Sequence, residues 1–159
     1  MTETGFVPKA RYMMRALELA AQAAAMGEVP VGAVVVQKST GRIIGEGYNR
    51  READRSPLAH AEIMAIDAAS RTLGGWRLLD SALYVTLEPC PMCAGAILHA
   101  RLEQVVYGTA DPKGGAVDSV EQLFTLPYNW TPEVHAGLLQ AECAQILRDF
   151  FRDLRLKKQ

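Results

Sequence analysis

At 159 residues, with 49% hydrophobic and 22% charged side chains, the chain has the length and balance of one soluble globular domain. A formal charge of −1 excludes general electrostatic attraction to nucleic acid, so any such contact has to come from a local basic patch. Three cysteines cannot all pair with one another, and two of them have metal-ligand spacing, which favours a reducing, cytoplasmic setting.

Residues 1–8 carry no pattern and are expected to be flexible. Over residues 9–26 Ala, Leu and Met recur, while Arg11, Arg15, Glu18 and Gln22 make a polar stripe at i, i+4, i+7 and i+11. That periodicity predicts an amphipathic helix rather than a signal peptide, and Gly27 stops it. Nothing in the chain reaches the ~18 unbroken apolar residues of a membrane span, so no membrane partner is expected. Val29-Pro30-Val31-Gly32 leads into a strand at 33–36. Ser39-Thr40-Gly41 is turn chemistry, and 43–48 is a second strand, antiparallel to the first. A loop at 49–58 carries Arg50, Arg51 and Arg55. A second helix covers 59–72 and ends at Gly74-Gly75. Residues 82–86 form an apolar strand without strict alternation, the mark of a central strand. A third helix opens at Pro89-Cys90 and runs to 99. A further strand at 105–107, a loop at 111–115, a short helix within 119–125 and a last helix over 136–155 complete the chain. The order helix, two strands, helix, strand, helix, strand, helix predicts a layered α/β domain with its later strands parallel. No repeat or linker divides it, so residues 1–159 read as a single domain.

The chemistry concentrates in Pro89-Cys90-Pro91-Met92-Cys93 and in His60-Ala61-Glu62, thirty positions before Cys90. Cysteines three apart at a helix start point to the same side. Pro89 suits the opening of that helix, because its missing N–H is unpaired there anyway. Unpaired amides and the dipole at that end lower a thiol's pKa towards the thiolate that binds metal. His60 also stands at a helix start. Three protein ligands keep a fourth position for water, as in hydrolytic rather than structural zinc sites. Glu62 is two residues on, an offset that turns side chains apart in regular helix but lets both line one cavity in a looser first turn. A carboxylate there can take a proton from water and later deliver it to substrate and leaving group. The competing interpretations are no metal, or a structural zinc closed by Cys143, His99, His135 or a carboxylate. Cys143, among Leu139, Ile146 and Leu147, reads as a buried thiol.

His-x-Glu followed by Pro-Cys-x-x-Cys is the known signature of the zinc deaminases of nucleobases. Around it, Gly27-Glu28-Val29-Pro30-Val31-Gly32-Ala33-Val34, Gly45-Glu46-Gly47-Tyr48-Asn49-Arg50, Leu83-Tyr84-Val85-Thr86-Leu87-Glu88 and Asp111-Pro112-Lys113-Gly114-Gly115-Ala116 add detail, as do Glu142-Cys143 and Asp149-Phe150-Phe151-Arg152. Over nearly its whole length the chain resembles the bacterial tRNA adenosine deaminases, the TadA family, within the cytidine deaminase-like superfamily. The resemblance implies a three-layer α/β/α domain with a central mixed five-stranded sheet. It implies one zinc ion per subunit on His60, Cys90 and Cys93, with Glu62 as proton shuttle. The implied reaction is hydrolytic conversion of adenosine to inosine at the wobble position of a tRNA anticodon. Asn49 would then bond the flipped base and Asp111 the sugar–phosphate beside it. Phe150 and the last helix would hold neighbouring nucleotides of the anticodon stem-loop, and the protein would be a homodimer. One departure stands out: relatives often carry Asn-His where this chain has Asn129-Trp130, so no histidine role is assigned there.

The residues themselves suit RNA. Single-stranded loops are read by splaying bases onto aromatic rings, and Asn can make a two-pronged bond to an adenine edge. Asn49 also suits a strand-ending turn, and Asp111 before Pro112 is a turn former. In the last helix Leu139, Cys143, Ile146, Leu147, Phe150 and Leu154 form an apolar row expected to face the core. Arg148, Arg152 and Arg155, followed by Lys157 and Lys158, form a basic stripe with Phe151 beside it. A solvated face accounts for such a stripe. An aromatic beside arginines is also a platform for a base and its phosphates, which makes Phe151 and Arg152 candidates. Two other functions fit the same residues: a free-base or nucleoside deaminase acting on guanine or cytosine, and a non-enzymatic, zinc-stabilised RNA-binding module.

Overall fold

In the computed structural model, which describes residues 5–158, five strands form one mixed sheet. They are β1 (Gly32–Gln37), β2 (Arg42–Tyr48), β3 (Ser81–Leu87), β4 (Gln104–Thr109) and β5 (Glu133–Ala136), in the spatial order β2-β1-β3-β4-β5. β1 is antiparallel to β2 and to β3, whereas β3, β4 and β5 run parallel. The helices are α1 (Ala10–Ala25), α2 (Ala61–Leu73), α3 (Pro91–Ala100) and α4 (Gln140–Lys157), with one 3₁₀ turn at Leu123–Thr125.

The two-residue period of the strands sorts their side chains into two cores. Val34, Val36, Tyr84 and Val106 meet Tyr12, Met13, Ala16 and Leu19 of α1 and Cys143 of α4. Ala33, Val35, Leu83, Val85 and Val105 meet Ala61, Ala65 and Ala69 of α2 and Ala94 and Ile97 of α3. Helices thus cover both faces of β3, which is why its sequence does not alternate. This is the three-layer, five-stranded α/β arrangement that the resemblance implied. No helix among the described residues is long and apolar enough to cross a membrane.

Backbone contact seats α2 on the sheet. A Cβ at Gly45 would lie 2.3 Å from the Ala65 carbonyl oxygen, and one at Gly47 would lie 2.4 Å from that of Ala61. Only glycine permits this approach. It brings the start of α2, and with it His60 and Glu62, beside the C-terminal end of β2.

Several details differ from expectation. β5 is absent from the periodicity: it is a four-residue edge strand with none of its residues fully buried. The last helix therefore begins at Gln140 rather than at 136, after Gly137 at φ 98° and Leu139 at φ 52°. Cys143 consequently lies in the first turn of α4 and not in its middle. Of the apolar row only Cys143 is fully buried; Ile146, Leu147 and Phe150 are half-buried and Leu154 is 38% exposed. Residues 151–158 are exposed throughout, so the end of α4 has no core to face. Pro91, not Pro89, occupies the first helical position of α3. Within 119–125 only Leu123–Thr125 is helical. Of the stretch expected to be flexible, residues 1–4 lie outside the described residues, and Phe6 packs on the His135 ring at 5.1 Å.

Candidate active site

The carboxyl ends of parallel strands open a crevice in α/β sheets, and here β3 and β4 deliver Glu88, Asp111 and the α3 cysteines to it. His60 is the N-cap of α2 and Cys90 the N-cap of α3, both with extended backbone. Neither side chain bonds its own helix amides, so both are turned to other use. His60 Nδ1 lies 3.6 Å from Cys90 Sγ and 3.5 Å from Cys93 Sγ, and all three atoms lie within 4.8 Å of one another. With bonds of about 2.3 Å to sulfur and about 2.0–2.1 Å to nitrogen at tetrahedral angles, nitrogen and sulfur stand about 3.6 Å apart. The trio therefore fits tetrahedral zinc ligation. Among the described residues Cys143, His99 and His135 stand outside this group: Cys143 is buried in the α1 core, and His135 pairs with Glu133.

The donor chemistry agrees. A hydrogen bond from Cys93, and then one from His60, pull the Cys90 thiol down to about 4, against the opposing effect of burial. Donating to Cys90, together with burial and the nearby Glu62 carboxylate, holds Cys93 far above an ordinary thiol. The two sulfurs thus share one proton, and a divalent cation in its place would let both serve as thiolates. Glu62 is 4% exposed and lies in the first turn of α2. Because His60 precedes that helix in extended backbone, the two side chains reach one cavity. Burial pushes Glu62 up to about 7.

That cavity has a volume of about 560 Å³, and His60, Glu62, Cys90, Asn49, Arg51, Asp111, Lys113 and Phe151 are among its lining. Asn49 is buried; its Nδ2 donates to the Val29 carbonyl at 3.0 Å and its Oδ1 accepts the Arg51 N–H at 3.1 Å. The turn role of Asn49 and its place in the cavity thus coexist. Asp111 Oδ1 accepts the N–H groups of Lys113 and Gly114, the turn chemistry of Asx residues. Phe151 lines the cavity, whereas Phe150 is not among its lining and meets the Phe151 ring edge-on with centroids 5.3 Å apart, and Arg152 turns to Asp149 and Asp153. Arg50 is engaged by Asp54 and stacks over Tyr48. Trp130, at the departure from the family pattern, donates its indole N–H to the Leu102 carbonyl.

Two buried acids at this site have no role in the motif reading. Glu28 and Glu88 hold the loops that carry Asn49 and Asp111. The sequence signal is a lone charge inside an apolar run, Glu28 before Val29-Pro30-Val31 and Glu88 after Leu83–Leu87.

Residues 7–155 match the MafB19-like deaminase family. A tRNA-specific adenosine deaminase of Bacillus subtilis (strain 168) is 48% identical over 149 residues, covering 93% of this chain and 91% of that protein. One from Haemophilus influenzae is 50% identical over 149 residues, covering 92% and 86%. A solved structure from a study of A-to-I editing by tRNA:A34 deaminases at the wobble position of transfer RNA aligns with a TM-score of 0.84 and 45% identity, covering 87% of this chain and 100% of that one. A guanine deaminase from Nitrosomonas europaea shares the fold at a TM-score of 0.78 but only 27% identity, covering 91% and 85%. At 48–50% identity over more than nine-tenths of its length, the chain belongs to the family of the tRNA-specific adenosine deaminases.

Proposed function

We propose that this protein hydrolytically deaminates adenosine to inosine at the wobble position of a tRNA anticodon. One observation carries the chemistry: a buried carboxyl, Glu62, lines one cavity with His60 and Cys90, whose ligand atoms cluster with that of the buried Cys93. These three residues would hold one zinc ion per subunit, which when bound supplies a Lewis acid able to bring the pKa of water from about 15.7 towards about 7. The target base leaves the loop stack at a cost of a few kcal/mol, least where it is already unpaired. Asn49 orients it: its second N–H and a remaining Oδ1 lone pair have no partner among the described residues, and they match the edge of adenine. Glu62 takes a proton from the attacking water and passes it to the ring nitrogen as oxygen adds to the carbon bearing the amino group. Glu62 then takes the remaining proton from the new hydroxyl and delivers it to the amino nitrogen; the C–N bond breaks, ammonia leaves and the carbonyl of inosine forms.

The rim suits a loop of RNA. The Phe151 ring offers a stacking surface, with Phe150 buttressing it edge-on. Asp111 faces the sugar–phosphate, while Arg51 and Lys113 in the lining, and Arg152 beyond them, supply charge for flanking phosphates. We also infer a homodimer, in line with the family resemblance and with the exposed Trp76, Leu79, Leu126 and Tyr128. A reducing cytoplasm is the setting that keeps Cys90 and Cys93 available as thiolates.

The test is inosine formation in an anticodon stem-loop, followed with zinc present, after chelation and after zinc is restored. Free adenosine, guanine and cytidine are assayed in parallel. Turnover of the stem-loop that vanishes on chelation and returns with zinc is expected. Preference for a free base would instead favour the chemistry of the guanine deaminase neighbour, and absence of ammonia from every substrate would leave an RNA-binding module.

A further inference from the structure

Glu28 and Glu88 are each 2% exposed, and neither forms an ion pair among the described residues. A buried carboxylate without a counter-ion needs hydrogen-bond donors in place of its lost water. Glu28 finds them in the 49–58 loop: Oε1 accepts the Glu52 N–H at 3.2 Å and Oε2 the Ala53 N–H at 2.8 Å. Glu88 finds them in the loop after β4. Its Oε1 accepts the Asp111 N–H at 3.0 Å and the Ser119 hydroxyl at 2.5 Å. Its Oε2 accepts the N–H groups of Val117, Asp118 and Ser119 at 3.2, 2.8 and 2.9 Å. The first loop carries Asn49 and Arg51 into the cavity, and the second carries Asp111 and Lys113. Each of these two walls is thus tied to a buried carboxylate rooted on the sheet side. Gly115 belongs to the second clamp, since a Cβ there would lie 2.2 Å from Glu88 Cδ.

We infer that Glu28 and Glu88 are positioning residues that set the width of the substrate cavity, and thereby KM for a base presented in an RNA loop. The inference rests on the deaminase reading above. The clamps act through the loops and move no proton. Glu88→Gln exposes the device. A glutamine can aim its single oxygen at Val117, Asp118 and Ser119 while its amide donates to the Ser119 hydroxyl. The Asp111 N–H then faces an amide that cannot accept, and that wall comes loose.

Steady-state kinetics of the full-length, zinc-loaded protein on an anticodon stem-loop tests this, with zinc content and Tm recorded. Glu88→Gln and Glu28→Gln are expected to raise KM about tenfold, with kcat within about twofold and one zinc per chain retained. Gly115→Ala should raise KM by pressing a methyl on the carboxylate. Glu88→Asp withdraws that group by one methylene, so Gly115→Ala/Glu88→Asp should have a lower KM than Gly115→Ala alone, a sign that general destabilisation does not produce. Should Glu88→Gln fail to fold, Ser119→Ala removes one bond only, and a KM rise of about two- to threefold is expected. Hydrogen exchange gives a readout apart from activity: one of the Glu52 and Ala53 amides in Glu28→Gln, whichever is left facing the glutamine NH2, and the Asp111 amide in Glu88→Gln should exchange faster than in wild type. Unchanged KM in folded, zinc-loaded variants, a fall in kcat at constant KM, or unchanged exchange overturns the clamps. A wild type inactive on the stem-loop overturns the functional reading alone, and exchange still decides the clamps.

Discussion

Gly108, in β4, lies directly under the first turn of α4. A methyl there would sit 2.3 Å from Cys143 Sγ, 2.8 Å from Cys143 Cβ and 2.9 Å from the Thr86 carbonyl oxygen. Non-bonded carbon contacts are comfortable only at about 3.5–4.0 Å, so Gly108→Ala requires Cys143, and α4 with it, to retreat by roughly 1 Å. Overpacking a buried site in this way costs about 1–3 kcal/mol. In a chain of this size each kcal/mol lowers Tm by about 2–4 °C, so a fall of about 3–10 °C is expected. Because α4 also carries Leu147 and Phe151 to the cavity, KM for a stem-loop should rise while zinc content stays at the wild-type level. Cys143→Ala removes the closest contact but leaves the Cβ, so the double variant should regain part of the loss. Calorimetry on the wild type, both single variants and the double variant isolates the coupling between the two sites. A Gly108→Ala protein with wild-type Tm, or additive effects in the cycle, would refute this seating of α4.

Other outcomes follow from the same geometry. Glu62→Gln is close in shape and should cut kcat by about 10²–10⁴-fold, while fluorescence anisotropy shows stem-loop binding within a few-fold of wild type; parallel loss of binding would argue against a shuttle. Cys93→Ala removes one of the three proposed ligands, so bound zinc measured by elemental analysis should fall together with activity. Hydrogen bonds from Arg15 hold the Glu46 carboxyl below its usual 4.5, despite partial burial. A depressed acid stabilises the fold above its unfolded pKa and stops doing so as pH falls through the folded value. The pair is half-exposed, so it contributes about 0–1 kcal/mol, and Arg15→Gln should flatten the urea midpoint against pH only below about 4.5.

Much of the architecture is legible in the sequence for identifiable reasons. α1 shows its polar stripe, β3 its unbroken apolar run, and the cluster of His60, Cys90 and Cys93 its spacing. Each of these depends on residues near one another in the chain or on a ligand chemistry with few members. β5 is not legible, because four residues at a sheet edge with Val134 as their only large apolar side chain carry no period. The error spread to α4: a helix begun at 136 puts Cys143 in its middle and implies a core-facing row that Leu154 does not join. Phe150 and Phe151 are adjacent in sequence, and only the pose of α4 decides that the second lines the cavity. The clamps at Glu28 and Glu88 escape because their partners are backbone amides more than twenty positions away, which no residue type announces.

The N-caps of α2 and α3 have a consequence for the life of the chain. His60 and Cys93 stand 33 positions apart, so an ion gripped by both would close a long covalent-like loop through its own bonds. By the chain-entropy reasoning used for disulfides, a crosslink spanning that distance is worth about 3–4 kcal/mol against unfolding. One ion would then serve as staple as well as reagent, and the heat tolerance of the protein would follow the zinc supply of its surroundings.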